Sequence, residues 1–142
     1  MIKKSGSARW QGDLRSGRGV VSTESGALSE QAYGFKTRFD GETGTNPEEL
    51  IGAAHASCFS MALSMILGDF DLVADSIETK ATVSLEQKDG GYHIPAVHLD
   101  VTAKVHDASE EQFAEAAKLA KENCPISKLL DAKITMTAKL AS

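Results

Sequence analysis

The second half of the chain alternates between apolar and polar residues in two long stretches. A period of two is typical of a strand with one buried face, because successive side chains point to opposite sides of a sheet. The turn residues Asp89-Gly90-Gly91 separate the two stretches, so the pattern predicts a hairpin with one apolar face. The residues predicted to face inward are Ile77, Thr79, Ala81, Val83 and Leu85 on the first strand, and Val97, Leu99, Val101, Ala103 and Val105 on the second.

Three shorter strands are predicted near the start of the chain, over residues 8–11, 19–23 and 33–39. Gly-rich and polar turns separate them, as expected of short antiparallel strands. The last of the three, YGFKTRF, also alternates. Its pattern predicts one face with Tyr33, Phe35, Thr37 and Phe39, and an opposite face with Gly34, Lys36 and Arg38.

A long helix is predicted between these two groups of strands. Its start is the segment Asn46-Pro47-Glu48-Glu49, in which the asparagine can cap, the proline suits the first turn, and the two acids favour the positive end of the helix dipole. We expect the helix to run to about Leu67. Gly68 would then supply the left-handed residue that commonly ends a helix.

The body of this helix, LIGAAHASCFSMALSMIL over residues 50–67, carries no Asp, Glu, Lys or Arg and approaches the length of a membrane span. However, one histidine, three serines and four alanines keep its hydrophobicity modest, and two acids precede it directly. These features favour the core of a globular fold or a tight dimer interface. We therefore expect no membrane partner.

A second helix is predicted over residues 110–122, because Ser109 and Gln112 match a capping box. A short helix over residues 125–130 and a final strand follow. The apolar positions are Phe113, Ala116, Ala117 and Ala120 on the helix, and Ile134, Met136, Ala138 and Leu140 on the strand. The order of elements predicts an α+β fold with mainly antiparallel sheets, in a single domain over residues 1–142.

The balance of charged residues limits the classes of partner that this protein is expected to bind. The chain of 142 residues carries 15 Lys and Arg against 20 Asp and Glu, a formal net charge of -5, with its basic residues scattered. This argues against a nucleic-acid partner, which would need a basic patch. The start, MIKKSGSARW, lacks the apolar stretch of a secretory signal, so we expect a cytoplasmic location. In that reducing compartment two distant cysteines suit thiol chemistry or core packing better than a permanent disulfide.

Cys58 and Cys124 are the candidate reactive groups. Cys124 precedes Pro125 at the start of a predicted helix, where backbone amides stabilise a thiolate, although a small buried residue at a tight turn is the competing interpretation. Cys58 lies mid-helix, where the dipole gives no help, so it needs another positive group to act as a nucleophile. Arg38 suits this role better than His55, because arginine stays charged at every working pH. For His55, a buried hydrogen-bonded histidine is the commoner arrangement.

Glu48 is the candidate partner of Arg38, since a carboxylate can hold a guanidinium in a fixed orientation through two hydrogen bonds. An acid that stabilises the helix dipole is the commoner role at such a position. Ten residues separate Glu48 from Cys58 on one helix, which places them about 15 Å apart along the axis. If both serve one centre, the glutamate must come from a second subunit.

The segments YGFKTRF, GTNPEELIGAAHASCFSMALS and ENCPIS, with the N-terminal SARWQGDLRSGRGVVSTESG, resemble the OsmC/Ohr family and within it the osmotically inducible OsmC branch. The resemblance covers essentially the whole chain. It implies an organic hydroperoxide reductase built as an intertwined homodimer, with two long central helices between antiparallel sheets. Its two active sites would lie at the subunit boundary.

The resemblance also implies a role for each candidate residue. Cys58 matches the peroxide-attacking cysteine, Cys124 the resolving cysteine and Arg38 the activating arginine. Glu48 matches the acid that pairs with the arginine, and the neighbouring Glu49 is the nearest alternative for this role. The implied partners are an organic hydroperoxide and a dithiol reductant of dihydrolipoyl type. No metal or organic cofactor is implied.

Two other functions stay open at this point. A metal-binding protein could use Cys58, His55 and Cys124 as ligands, but the sequence lacks a close Cys-x-x-Cys pair. A redox sensor or stress-response binding protein would oxidise the same cysteines but turn over slowly. His55 itself stands where the Ohr branch tends to carry tyrosine, and its task is open.

Overall fold

The computed structural model describes residues 1–141, in two compact units that cover residues 1–50 and the chain from Ile51 onward. In the first unit, three antiparallel strands pair in the order β1 (Gly6–Gln11), β2 (Arg18–Thr23) and β3 (Gln31–Tyr33). A short helix α1 (Phe35–Phe39) follows, and a long helix α2 (Pro47–Asp69) begins. Gly19 of β2 allows close approach of two rings, since a Cβ there would come within 2.6 Å of the Tyr33 ring and 2.7 Å of the Trp10 ring.

The second unit continues α2 and adds the strands β4 (Ala74–Val83), β5 (Glu86–Lys88), β6 (Gly91–His93) and β7 (Ala96–Val105), the helices α3 (Glu110–Asn123) and α4 (Pro125–Leu129), and the strand β8 (Lys133–Ala141). Its main sheet has the order β4-β7-β8, and β5 and β6 form a small separate hairpin. β8 runs parallel to β7, because α3 and α4 carry the chain back before β8 starts. The other ladders are antiparallel, so the predicted α+β class with mainly antiparallel sheets is confirmed. One domain over residues 1–142 stays a prediction.

The core of the second unit lies between α2, α3 and the main sheet. Apolar residues of β7 alternate with exposed polar ones, as the period of two predicts. The capping box of Ser109 and Gln112 is formed, and the predicted apolar stripe of α3 is buried. The central buried side chains are Phe59, Leu63, Leu67, Leu99, Val101, Ala103, Phe113, Ala116, Ala117 and Ala120.

The segment predicted as the third strand is instead the helix α1 from Phe35 onward, which is a correction of the sequence interpretation. Thr37 stabilises the turn, because its Oγ1 accepts from the Gly34 N–H at 2.9 Å and donates to the Gly34 carbonyl at 3.0 Å. Phe35 and Phe39 are four residues apart, and their rings contact each other at a tilt of 52° with centroids 4.9 Å apart. Over so few residues, a pair at that spacing fits either a strand or a helix.

The end of α2 also differs from the prediction. The helix continues through Gly68 to Asp69, and Asp71 takes the left-handed conformation with φ of 59°. The Leu72 N–H donates to the Leu67 carbonyl and the Asp71 N–H to that of Gly68, which is the Schellman arrangement. Aspartate tolerates this conformation better than most residues, so glycine is not required there.

By length and composition α2 could cross a membrane, with a mean hydropathy of 1.7 over its most apolar stretch, of which 33% is buried. Core helices of soluble proteins meet the same criterion. The expectation of no membrane partner therefore stays a prediction.

Gly52 allows a close approach between α2 and the main sheet. A Cβ there would lie 3.0 Å from the Ala81 carbonyl oxygen, and a backbone atom cannot move aside as a side chain can. Gly52→Ala is therefore expected to lower the free energy of unfolding by about 1–3 kcal/mol, measured by urea unfolding. Gly68→Ala in the same helix is the control, since nothing lies within 4 Å of its Cβ. It should be neutral or raise stability by about 0.5–1 kcal/mol, and equal losses in both variants would contradict this account.

Candidate functional site

The fold of the second unit brings the two cysteines together. Cys58 lies half-buried in the middle of α2, and Cys124 is fully buried at the junction of α3 and α4. Cys58 packs against the core cluster that contains Cys124, and the two thiols lie close enough for Cys124 to raise the pKa of the Cys58 thiol. Cys124 is therefore placed to react with any group formed on the Cys58 sulfur.

The environment of Cys58 disfavours its thiolate. Burial is the main cause that raises the pKa of the Cys58 thiol, and the neighbouring Cys124 raises it further. A hydrogen bond from the Ile126 backbone N–H opposes this and stabilises the thiolate. The net pKa is raised, so the second unit on its own keeps this thiol protonated at neutral pH. A nucleophilic Cys58 thus needs a cation, as expected from its position in the middle of a helix.

Cys124 is held by Ser127, and Ser127 in turn by His55. Cys124 caps α4, where its sulfur accepts from the Ser127 N–H at 3.3 Å and its thiol donates to Ser127 Oγ at 3.2 Å. Ser127 Oγ lies 2.7 Å from His55 Nε2. His55 is 0% exposed, as predicted for a buried hydrogen-bonded histidine, and burial lowers its pKa. Among residues 1–141, its Nδ1 has no hydrogen-bond partner.

The first unit holds the second candidate pair, Arg38 and Glu48. Arg38 Nη2 donates to Glu48 Oε1 at 2.7 Å, and its Nε donates to both carboxylate oxygens at 3.0 and 3.2 Å. Glu48, rather than its rival Glu49, is therefore the partner of Arg38. Both belong to one chain, so the glutamate is not supplied to Arg38 by a second subunit. The fork of hydrogen bonds fixes the plane of the guanidinium.

Asn46 ties this pair to the start of α2. Its Oδ1 accepts from the Glu49 N–H at 2.8 Å, which confirms it as the helix cap, and its Nδ2 donates to the Thr37 carbonyl at 3.2 Å. One side chain thus joins α1 to the first turn of α2. This contact holds Arg38 of α1 beside Glu48 of α2.

An apolar cavity of about 280 Å³ adjoins Arg38 within the first unit. The Trp10 and Tyr33 rings contact each other with centroids 5.7 Å apart, and the Arg38 guanidinium lies 5.3 Å from the centre of the Phe39 ring. A fixed cation beside aromatic rings suits a ligand with one polar and one apolar end. The cavity is lined by Trp10, Leu14, Tyr33, Gly34, Phe35, Arg38 and Phe39.

Sequence reasoning missed two parts of these sites. The only sequence signal for Ser127 was its position three residues after Cys124. The backbone N–H at that position of a helix can donate to the side chain of the N-cap residue. Trp10 on β1 and Tyr33 on β3 both lie opposite Gly19 of β2, and the sequence pattern located these strands without their register. Within residues 1–141 no group of three or more His, Cys, Asp or Glu is arranged to hold a metal, so the structure gives no support to a metal centre at Cys58, His55 and Cys124.

Comparison with known proteins places the chain in a family. The model of the family described as "OsmC-like protein" matches residues 39–139 of this chain. The chain is 50% identical to Peroxiredoxin OsmC of Escherichia coli over 141 residues, with 99% of each covered, and 33% identical to the Organic hydroperoxide resistance protein OhrB of Bacillus subtilis, with 89% of this chain and 92% of that protein covered. The crystal structure of OhrB superposes with a TM-score of 0.72 at 28% identity, over 96% of this chain and 98% of that one. The chain belongs to the OsmC-like protein family.

Proposed function

We propose that this protein is a cysteine-based peroxidase that reduces organic hydroperoxides to alcohols. The observation that carries the proposal is the contact between the Cys58 and Cys124 thiols, in a chain 50% identical to a peroxiredoxin. A pair of free thiols in contact can pass between reduced and disulfide states without a metal or organic cofactor. The name of the OhrB relative supports an organic hydroperoxide as the substrate.

The proposed reaction has three steps. The Cys58 thiolate attacks the distal oxygen of ROOH, the O–O bond breaks, and the alcohol leaves with a proton, so that Cys58 becomes a sulfenic acid. Cys124 then attacks the Cys58 sulfur, which forms a disulfide and releases water. An external dithiol of dihydrolipoyl type reduces the disulfide by exchange. Such donors belong to a reducing compartment, so we propose a cytoplasmic location.

We further propose that the protein acts as a homodimer, with Arg38 and Glu48 of one subunit serving Cys58 of the other. The helix spacing of about 15 Å between Glu48 and Cys58 argues against one chain supplying both. α2 carries an exposed apolar face, on which Met61 and Met65 are 76% and 70% exposed, and such faces mark protein contacts. The small neighbours Ala53, Ala54 and Ser57 on this face would let two helices pack closely.

A charge on the exposed face of α2 tests the dimer. Met61→Asp is expected to raise the dimer dissociation constant by more than about tenfold, because an unpaired carboxylate in an apolar contact loses its hydration. Sedimentation velocity over a dilution series measures it. Val73→Asp is the control, since Val73 is 81% exposed but lies outside α2. A wild-type chain that sediments as a monomer, or equal effects of both variants, would contradict the proposed interface.

The activity is tested with tert-butyl hydroperoxide and dihydrolipoamide. We expect repeated turnover, and a faster reaction with tert-butyl hydroperoxide than with hydrogen peroxide, because the aromatic cavity beside Arg38 favours an apolar substituent. A single stoichiometric oxidation without turnover would identify a redox sensor instead. No oxidation by either peroxide would reject the peroxidase.

A further inference from the structure

His55 and Ser127 have no part in the peroxide reduction proposed above, yet their hydrogen bonds end on the sulfur of Cys124. The Cys124 thiol donates to Ser127 Oγ at 3.2 Å, and Ser127 Oγ lies 2.7 Å from His55 Nε2. Ser127 is 9% exposed, and the other two residues are 0% exposed. Three polar groups in an unbroken line inside a core are costly unless each is satisfied.

The direction of the hydrogen bonds follows from their chemistry. A hydroxyl has one proton to donate, and Ser127 Oγ already accepts the proton of the Cys124 thiol. Ser127 can therefore donate its own proton to His55 Nε2 in the tautomer that carries the ring proton on Nδ1, which is the tautomer that a relay requires. Burial lowers the pKa of His55, so its ring is neutral at pH 7 and one ring nitrogen has a lone pair that can accept from Ser127.

We propose that Ser127 and His55 form a proton relay that activates Cys124 when it attacks the sulfenic acid on Cys58. The proposal rests on the peroxidase function and adds a role for two residues that this function does not otherwise use. Cys124 is fully buried, so solvent has no direct access to its proton in this state. Ser127 touches the reacting sulfur, whereas His55 acts through Ser127 and is a positioning residue.

The step balances without another reagent. The Cys124 thiol proton passes to Ser127 Oγ while the Ser127 proton passes to His55 Nε2. The electron pair freed on the Cys124 sulfur forms the S–S bond, and the S–O bond of the sulfenic acid breaks with its pair on oxygen. The proton held by His55 then returns to Ser127 Oγ while Ser127 gives a proton to the departing hydroxide, which leaves as water. A thiol and a sulfenic acid thus give a disulfide and water.

Single-turnover kinetics on the reduced, full-length protein separates this step from peroxide reduction. One equivalent of tert-butyl hydroperoxide is mixed in, and samples are quenched and analysed by mass spectrometry for peroxide consumed, for Cys58 sulfenic acid trapped by dimedone, and for the disulfide. Ser127→Ala should consume peroxide at the wild-type rate but form the disulfide at least about 100-fold more slowly, because proton transfer by a positioned group contributes on that scale. Trapped sulfenic acid should accumulate.

Two further variants distinguish proton transfer from a structural role. Ser127→Thr keeps the hydroxyl and should restore fast disulfide formation. His55→Gln keeps an acceptor for the Ser127 hydroxyl but cannot take up a proton, so it should form the disulfide as slowly as Ser127→Ala. If Ser127→Ala does not fold, His55→Gln serves as the test. Wild-type disulfide formation in His55→Gln would overturn the relay while leaving the peroxidase intact. Failure of the wild type to consume peroxide would instead reject the proposed function.

Discussion

Replacing Cys58 by serine is expected to abolish hydroperoxide-dependent turnover, with a loss of at least about 1000-fold, because removal of a nucleophile leaves only binding and electrostatic contributions. A serine hydroxyl is not ionised at neutral pH and cannot form a sulfenic acid. Cys58 is half-buried and serine is nearly the same size, so the fold should survive. The oxidation of dihydrolipoamide by tert-butyl hydroperoxide measures the loss.

The matched variant is Cys124→Ser, which keeps the attacking sulfur. It should consume one equivalent of hydroperoxide rapidly and a second more slowly, and then stall. The Cys58 sulfenic acid has no thiol partner, so the second equivalent oxidises it to the irreversible sulfinic acid. An unchanged rate in Cys58→Ser would refute the assignment of the nucleophile. A wild-type rate in Cys124→Ser would contradict the resolving role of Cys124 and would leave the assignment of Cys58 as the nucleophile unaffected.

The strand β7 and the helix α3 of the second unit were predictable because each has one buried face. Along β7 and α3, buried residues recur at the spacing that is typical of a strand and of a helix, respectively. The apolar pattern therefore shows both the type of secondary structure and which residues face inward. The direction of β8 was not predictable in this way. A strand presents the same alternation whether it runs parallel or antiparallel to its neighbour, and only the crossover through α3 and α4 decides.

The helix α1 shows the limit of pattern reasoning. It has five residues, fewer than an isolated helix needs, and depends on the Thr37 turn and on Asn46 at the next helix. These contacts join residues that the pattern had assigned to separate elements. The difference matters for the site, because α1 carries Arg38, which pairs with Glu48 of its own chain.

The candidate residues were visible in the sequence, but their environments were not. Cys58 and Cys124 are 66 positions apart (124 − 58 = 66), so only the fold could show that their thiols meet. The mid-helix location of Cys58 did predict its need for a cation, and its raised pKa agrees with that reasoning. The Cys124–Ser127–His55 line required the packing of α4 against α2, which no local pattern encodes.

Replacing Arg38 by methionine is expected to slow the oxidation of Cys58 by about 100- to 1000-fold at pH 7. Burial raises the pKa of Cys58, so without a guanidinium the thiolate is scarce at neutral pH and its fraction grows about tenfold per pH unit. The variant's rate should therefore climb steadily towards alkaline pH, whereas the wild-type rate should be flat where the sulfur is already ionised. Stopped-flow oxidation across that range measures both, with Arg9→Met, on the exposed strand β1, as the charge control.

Mixing two inactive variants reveals which subunit supplies the arginine. In a dimer of Arg38→Met with Cys58→Ser, the intact Cys58 of one chain meets the intact Arg38 of the other only if the pair acts across the interface. Random exchange of subunits would then restore about a quarter of wild-type activity, since half of the dimers are mixed and each has one complete site of two. If Arg38 acts within its own chain, every site lacks one of the two residues and the mixture stays inactive, so the absence of recovery after proven exchange would overturn the shared site.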